Sequence, residues 1–91
     1  MNHLTEVVFV NYYSEKHLHR CVQNLKGVQK IAITVVDNSG SYHAESVGTK
    51  VIAGHGNVGF GGACNIAVRA SNATRFLFLN PDTMFTSAEI E

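Results

Sequence analysis

Residues Lys50 to Ala70 read KVIAGHGNVGFGGACNIAVRA, and this order decides the fold: a short apolar strand, a glycine-rich turn, then a helix. Gly54, Gly56, Gly59, Gly61 and Gly62 place five of the chain's eight glycines within the twelve positions from Gly54 to Asn65. A run of that density cannot be core. Glycines allow positive φ and close approach of backbone to a ligand, at an entropic cost that a plain connector has little reason to carry. Beyond them Ala63, Ile66, Ala67 and Ala70 recur at i, i+3, i+4 and i+7, one face of a helix. Free N–H groups at the start of that helix, with the positive end of its dipole, suit phosphate or another anion. A tight turn between two packed elements is the competing use of the segment.

Working outward, Glu6–Val10 (EVVFV) is an apolar run whose β-branched residues favour a strand buried on both faces. Ser14 suits an N-cap and Glu15 a first turn. Leu18, Cys21, Val22 and Leu25 then keep helical spacing, predicting a helix from about Glu15 to Lys26, closed by Gly27. Ile31–Val36 (IAITVV) is the second unbroken apolar strand, and Asp37-Asn38-Ser39-Gly40 is turn chemistry. Residues Ser41 to Thr49 read as loop. The strand Lys50–Ala53 follows, then the glycine segment and its helix to about Ala70. Arg75–Leu79 (RFLFL) is the fourth strand, and Asn80-Pro81-Asp82-Thr83 is its exit, because proline cannot sit in a central ladder.

Strands alternating with helices give an α/β class with a mainly parallel sheet and right-handed crossovers. Strand one crosses over the first helix to strand two, with strand three beside it. The second helix must cover the opposite face, so the fourth strand returns to the far side of the first. The expectation is a three-layer domain over residues 1–91 with four strands in the order 3-2-1-4 and helices on both faces. That order puts a topological switch point between strands one and four, where open α/β sheets bind ligands beyond the strands' carboxyl ends.

With 7 basic and 7 acidic residues, net charge zero and no Lys/Arg cluster, neither nucleic acid nor an anionic membrane surface is an expected partner. No apolar run approaches membrane-spanning length, and the amino terminus lacks the pattern of a signal peptide, so a cytoplasmic location is expected. Cys21 and Cys64 lie on predicted helical faces with no metal-ligand spacing and read as small buried hydrophobes. His17 and His19, two apart on a helix, cannot converge on one metal, His3 and His43 are expected to be solvated, and His55 is expected at the loop surface, with contact to a phosphate as its alternative. Gly54, Gly56 and Gly59 match G-x-G-x-x-G, but a complete βαβ unit precedes them and Asp82 follows a proline, so the dinucleotide fingerprint is weak. No G-K-S/T follows, which excludes a P-loop.

Taken together, VVFVNYYS (Val7–Ser14), VVDNSG (Val35–Gly40), GNVGFGGACNIAV (Gly56–Val68) and LFLNPDT (Leu77–Thr83) resemble the amino-terminal half of family-2 glycosyltransferases, in particular the rhamnosyltransferase-like members. The resemblance covers almost the whole chain, with four motifs in the family's order. It implies the nucleotide-sugar half of a GT-A fold, an inverting transferase using a UDP- or dTDP-sugar with a divalent cation, Mg²⁺ or Mn²⁺.

By that resemblance Tyr12 holds the aromatic position that stacks on the pyrimidine, its alternative being a packing group at a strand end. Asp37 matches the acid that accepts a hydrogen bond from the base, with turn capping as its alternative. Asn57, Gly59 and Asn65 belong to the nucleotide-binding glycine segment, where Asn57 has helix capping as a rival role. Asn80 and Asp82 stand where relatives carry D-x-D, Asp82 being the metal-binding acid. Two positions depart from the pattern. Asn80 replaces the first Asp, although N-P-D is also seen in the rhamnosyltransferase-like branch, and Tyr13 occupies a position often held by Asn.

Thr86 and Glu89 form a capping box that opens a helix just before the end of the sequence. In the family, the half that follows carries the acceptor site and the general base, and Glu89 and Glu91 are poor substitutes so near the terminus. The expectation is a truncated transferase, inactive alone, with a separate chain as a possible source of the acceptor half. Without further sheet beside it, RFLFL is an apolar edge open to pairing, which predicts a homodimer through strand four. A catalytically dead relic serving as an oligomeric interaction protein is the alternative function.

Overall fold

The computed structural model describes residues 5–25, 27–42 and 49–81. Four strands and two helices alternate: β1 (Thr5–Asn11), α1 (Glu15–Asn24), β2 (Ile31–Asp37), β3 (Thr49–Ile52), α2 (Gly59–Arg69) and β4 (Arg75–Leu79). The sheet order is β3-β2-β1-β4, and every pairing is parallel. This is the α/β arrangement that the apolar runs and the right-handed crossover rule predict.

β1 runs through the middle of the sheet, and its side chains alternate between two cores. Val7 and Phe9 pack with Leu18, Cys21, Val22 and Leu25 of α1 and with Val35 of β2. Val8 packs with Val36 of β2 and with Ala63 and Ala67 of α2. Strand alternation therefore places the two helices on opposite faces, making three layers. Val7, Val8, Phe9, Leu18, Val35 and Val36 are fully buried, each contributing roughly 1.5–3 kcal/mol. The small Ala63 and Ala67 let α2 lie close to the strands.

Several boundaries move from their expected positions for local reasons. α2 begins at Gly59, four residues before the first alanine of its apolar face, so Gly59, Gly61 and Gly62 form its first turn instead of a loop. Gly59 itself has φ +75, a conformation that glycine adopts without strain. Ser14 makes no side-chain cap. Its carbonyl receives the first helical bond, from Leu18 N at 2.9 Å, while its hydroxyl donates to Tyr12 O at 3.3 Å. β3 covers Thr49–Ile52, one residue earlier than its apolar run. There Lys50 Nζ donates to Ala70 O at 3.2 Å, closing the carboxyl end of α2 with a cation on the favourable side of the dipole. The capping box Thr86/Glu89 lies outside the described residues.

A buried polar cluster fastens the other end of the sheet. Glu6, almost fully buried on the α2 face of β1, accepts from Thr34 Oγ1 at 3.0 Å and from Ser71 Oγ at 2.5 Å. One carboxylate thus ties β1 to β2 and to the segment leaving α2. Among the described residues no helix is long and apolar enough to cross a membrane.

Candidate functional site

The carboxyl ends of β1 and β4, the turn after β2 and the start of α2 meet around one cleft of about 300 Å³. Its walls are Val10, Tyr12 and Ser14 from the β1 end, Asn38 after β2, Asn57, Gly59 and Phe60 from the glycine segment, and Asn80 and Pro81 after β4. The cleft lies at the switch point between β1 and β4, where helices on opposite faces leave the strand ends uncovered. Tyr12 and Phe60 expose about half of their surfaces, 54% and 55%.

Four of the residues named from the sequence, Tyr12, Asn57, Gly59 and Asn80, line this cleft. Asn57 also carries its rival role: its Oδ1 accepts from Gly59 N at 3.1 Å, holding the first N–H of α2. Asn65 is exposed on α2 and is not in the cleft wall. Asp82, the expected metal ligand, lies outside the described residues.

Asp37 occupies its turn-capping role. It is 1% exposed, and both carboxylate oxygens are engaged. Oδ1 accepts from Ser39 Oγ at 2.7 Å, Asn11 Nδ2 at 3.0 Å and Ser39 N at 3.1 Å, while Oδ2 accepts from Tyr42 N at 2.8 Å. Burial pushes its carboxyl upward, but the hydrogen bonds from Ser39, Tyr42 and Asn11 outweigh it and hold the group below the usual aspartate range. The next residue, Asn38, reaches the cleft instead. β2 ends at Asp37 and Asn38 stands in the turn beyond it, so which of the pair D-N lines the cleft was not readable from composition. Tyr42, expected in a loop, is buried against the α1 core.

Asn11 organises the turn after β1. Fully buried, it gives Nδ2 to Asp37 and, at 3.4 Å, to Glu15 Oε1 and Ser39 Oγ, while its Oδ1 accepts from Ser14 N at 3.0 Å. Glu15 is held below its ordinary value by the Ser41 hydroxyl first and then by its own backbone N–H. The strained member is Tyr13, whose φ of +56 is left-handed. Asn tolerates that conformation better than a bulky aromatic.

The remaining expectations resolve simply. Cys21 is buried and donates its thiol to Pro81 O at 3.2 Å, linking α1 to the cleft's far wall. Cys64 is half-buried, and burial pushes its thiol up. His55 is half-buried, less exposed than the loop residues around it, with Nε2 2.9 Å from Asn38 Oδ1.

For a divalent cation the described walls offer amide and hydroxyl oxygens but no carboxylate, and among the described residues no three His, Cys, Asp or Glu side chains converge. These residues alone do not form a metal centre. No protein-family model matches the chain, and no curated protein matches it either.

Proposed function

We propose that the chain binds the nucleoside diphosphate of a UDP- or dTDP-sugar, as the donor-binding half of an inverting glycosyltransferase. The observation that carries this reading is the convergence of Tyr12, Asn57, Gly59 and Asn80, from three separate segments, on the cleft between β1 and β4. Its volume stands at the lower end of the range for small-molecule sites, about 300–1,000 Å³, a size suited to the base and ribose. The Tyr12 ring supplies a stacking platform for a pyrimidine. At the opposite wall the first turn of α2 presents backbone N–H groups and the positive end of the helix dipole to the diphosphate. Asn38, which lines the cleft after β2, would meet the base, with Asp37 behind it fixing the turn.

In this reading glycosyl transfer needs an acceptor half with its general base, supplied by another chain or segment. Mg²⁺ or Mn²⁺ would neutralise the diphosphate with Asp82 as the anionic ligand. Calorimetry with UDP and dTDP, with and without Mn²⁺, tests it. Saturable binding that Mn²⁺ strengthens, and that Asp82→Ala weakens in the presence of Mn²⁺, supports the reading; silence for both nucleotides contradicts it.

A second reading is favoured by one specific observation. β4 pairs only with β1, leaving RFLFL as an edge strand among the described residues, with Phe76 and Phe78 stacked at 6.0 Å and Phe78 37% exposed. An apolar edge recruits a second strand. On this reading the chain is an oligomeric interaction protein that pairs with its own copy through β4.

A further inference from the structure

The glycine segment is exposed on nearly every residue from Ala53 to Gly61, with one exception, His55. Gly54, Gly56 and Gly59 all have positive φ, and a Cβ built on any of them would meet nothing within 4 Å. What ties the segment down is Asn38 at the end of β2: Asn38 Nδ2 donates to Gly59 O at 3.2 Å, and Asn38 Oδ1 lies 2.9 Å from His55 Nε2.

The chemistry of these groups fixes their roles. Gly59 O can only accept, so the amide nitrogen of Asn38 must face it, and the amide oxygen must face His55. An oxygen acceptor requires a donor, so His55 carries its proton on Nε2. His55 Nδ1 is a buried side-chain atom with no hydrogen-bond partner among the described residues. Among the described residues the ring's hydrogen bond is the one to Asn38. Asn38 in turn is a wall of the cleft.

From this geometry we infer that His55 and Asn38 form a latch that holds the glycine segment against the end of β2, and that His55 is a positioning residue for whatever occupies the cleft. Its ligand side rests on the proposed nucleotide function, since the segment it holds supplies Asn57, Gly59 and Phe60 to the cleft. Gly54 and Gly56, flanking His55, are the pivots. Asn38→Asp removes the Gly59 arm without changing size, since a carboxylate oxygen then faces Gly59 O with no proton between them, and it leaves an oxygen acceptor for His55 Nε2.

The test is amide hydrogen exchange on the full 91-residue chain, with core amides of β1 and β2 as internal controls. One net hydrogen bond corresponds to roughly a tenfold change in an opening equilibrium. In His55→Ala, exchange at Gly59, whose N–H is held by Asn57 Oδ1, is expected to rise about five- to tenfold while Val8 and Val35 stay protected. His55→Gln, whose amide can still donate to Asn38 Oδ1, is expected to return the segment to within about twofold of wild type. Unchanged exchange in His55→Ala, or acceleration spread equally over the core, overturns the latch. A parallel titration with UDP reads the ligand side. A matching five- to tenfold loss of affinity in His55→Ala, rescued in His55→Gln, supports positioning, and equal affinity in all three proteins overturns it. A wild-type chain that binds no nucleotide overturns the ligand role together with the proposed function, while the exchange experiment still decides the latch.

Discussion

Asn11 and Asp37 are register partners on the last rung of the β1–β2 ladder, and Asn11 Nδ2 donates to Asp37 Oδ1 across it at 3.0 Å. The pair closes the core and opens the site in one step. Behind it lie Phe9 and Val35, fully buried; in front of it the chain turns into Tyr12 and Asn38 at the cleft.

Because Asp37 is held below the ordinary aspartate range in the folded chain, its carboxylate favours folding whenever it is ionised in both states. That contribution is complete above the unfolded value, about 3.9, and is lost as pH falls through the lower folded value. Urea unfolding followed from pH 6 to pH 2.5 should show stability falling through the acid end. Asp37→Ala should cost about 2–4 kcal/mol at pH 6, the penalty for leaving several donors unpaired, and should flatten the acid limb.

Tyr12 is half-exposed, and on the proposed function its role is in binding. Tyr12→Ala should leave the unfolding midpoint nearly unchanged but lower nucleotide affinity by about 1–3 kcal/mol, the usual contribution of a base stacked on an aromatic ring. Tyr12→Phe should keep most of it. Calorimetry on the three proteins, paired with thermal melts, separates the two effects.

The left-handed φ of Tyr13 makes the opposite kind of prediction. Tyr13→Gly or Tyr13→Asn should relieve strain of about 1–2 kcal/mol, less what is lost with the Tyr12–Tyr13 ring contact at 4.8 Å. A raised urea midpoint is the expected result. A drop would show that the ring contact outweighs the backbone.

Much of this molecule was legible in the sequence. Apolar runs located β1, β2 and β4, the crossover rule ordered the sheet, and four of the cleft residues came from motifs. What escaped were residues whose roles depend on partners distant in sequence. Glu6 looked like the polar boundary of a strand, yet it is buried by Thr34 and by Ser71, 65 positions away. His55 looked like loop surface because its neighbours are glycines, and only Asn38, 17 positions earlier, draws it inward. In the D-N step after β2 the acid is engaged by the turn and Asn38 lines the cleft, a division set by Ser39, Tyr42 and Asn11 and not by the dipeptide itself. Glycines at positions 59, 61 and 62 disguised the first turn of α2, since their poor helix propensity conceals a start set by tertiary packing.

Glu6 offers a direct check on that buried cluster. Glu6→Ala should destabilise the chain by about 1–3 kcal/mol by orphaning two hydroxyls, visible as a lower midpoint in equilibrium unfolding. No comparable loss is expected from an exposed acid-to-alanine change.

For the β4 edge, sedimentation at micromolar concentration should find a dimer, and Phe78→Lys should shift it to monomer by placing a charge on the strand beside the edge. A wild-type chain that sediments as a monomer removes the reading of β4 as a pairing surface.

The most direct test of the nucleotide-binding account is a backbone amide NMR titration of the intact chain with UDP and with dTDP. The account predicts saturable shifts at Tyr12, Asn38, Asn57–Gly61 and Asn80, with β3 and the carboxyl end of α1 unmoved. Absence of shifts at millimolar nucleotide, or saturable shifts clustered away from the β1–β4 cleft, would contradict it.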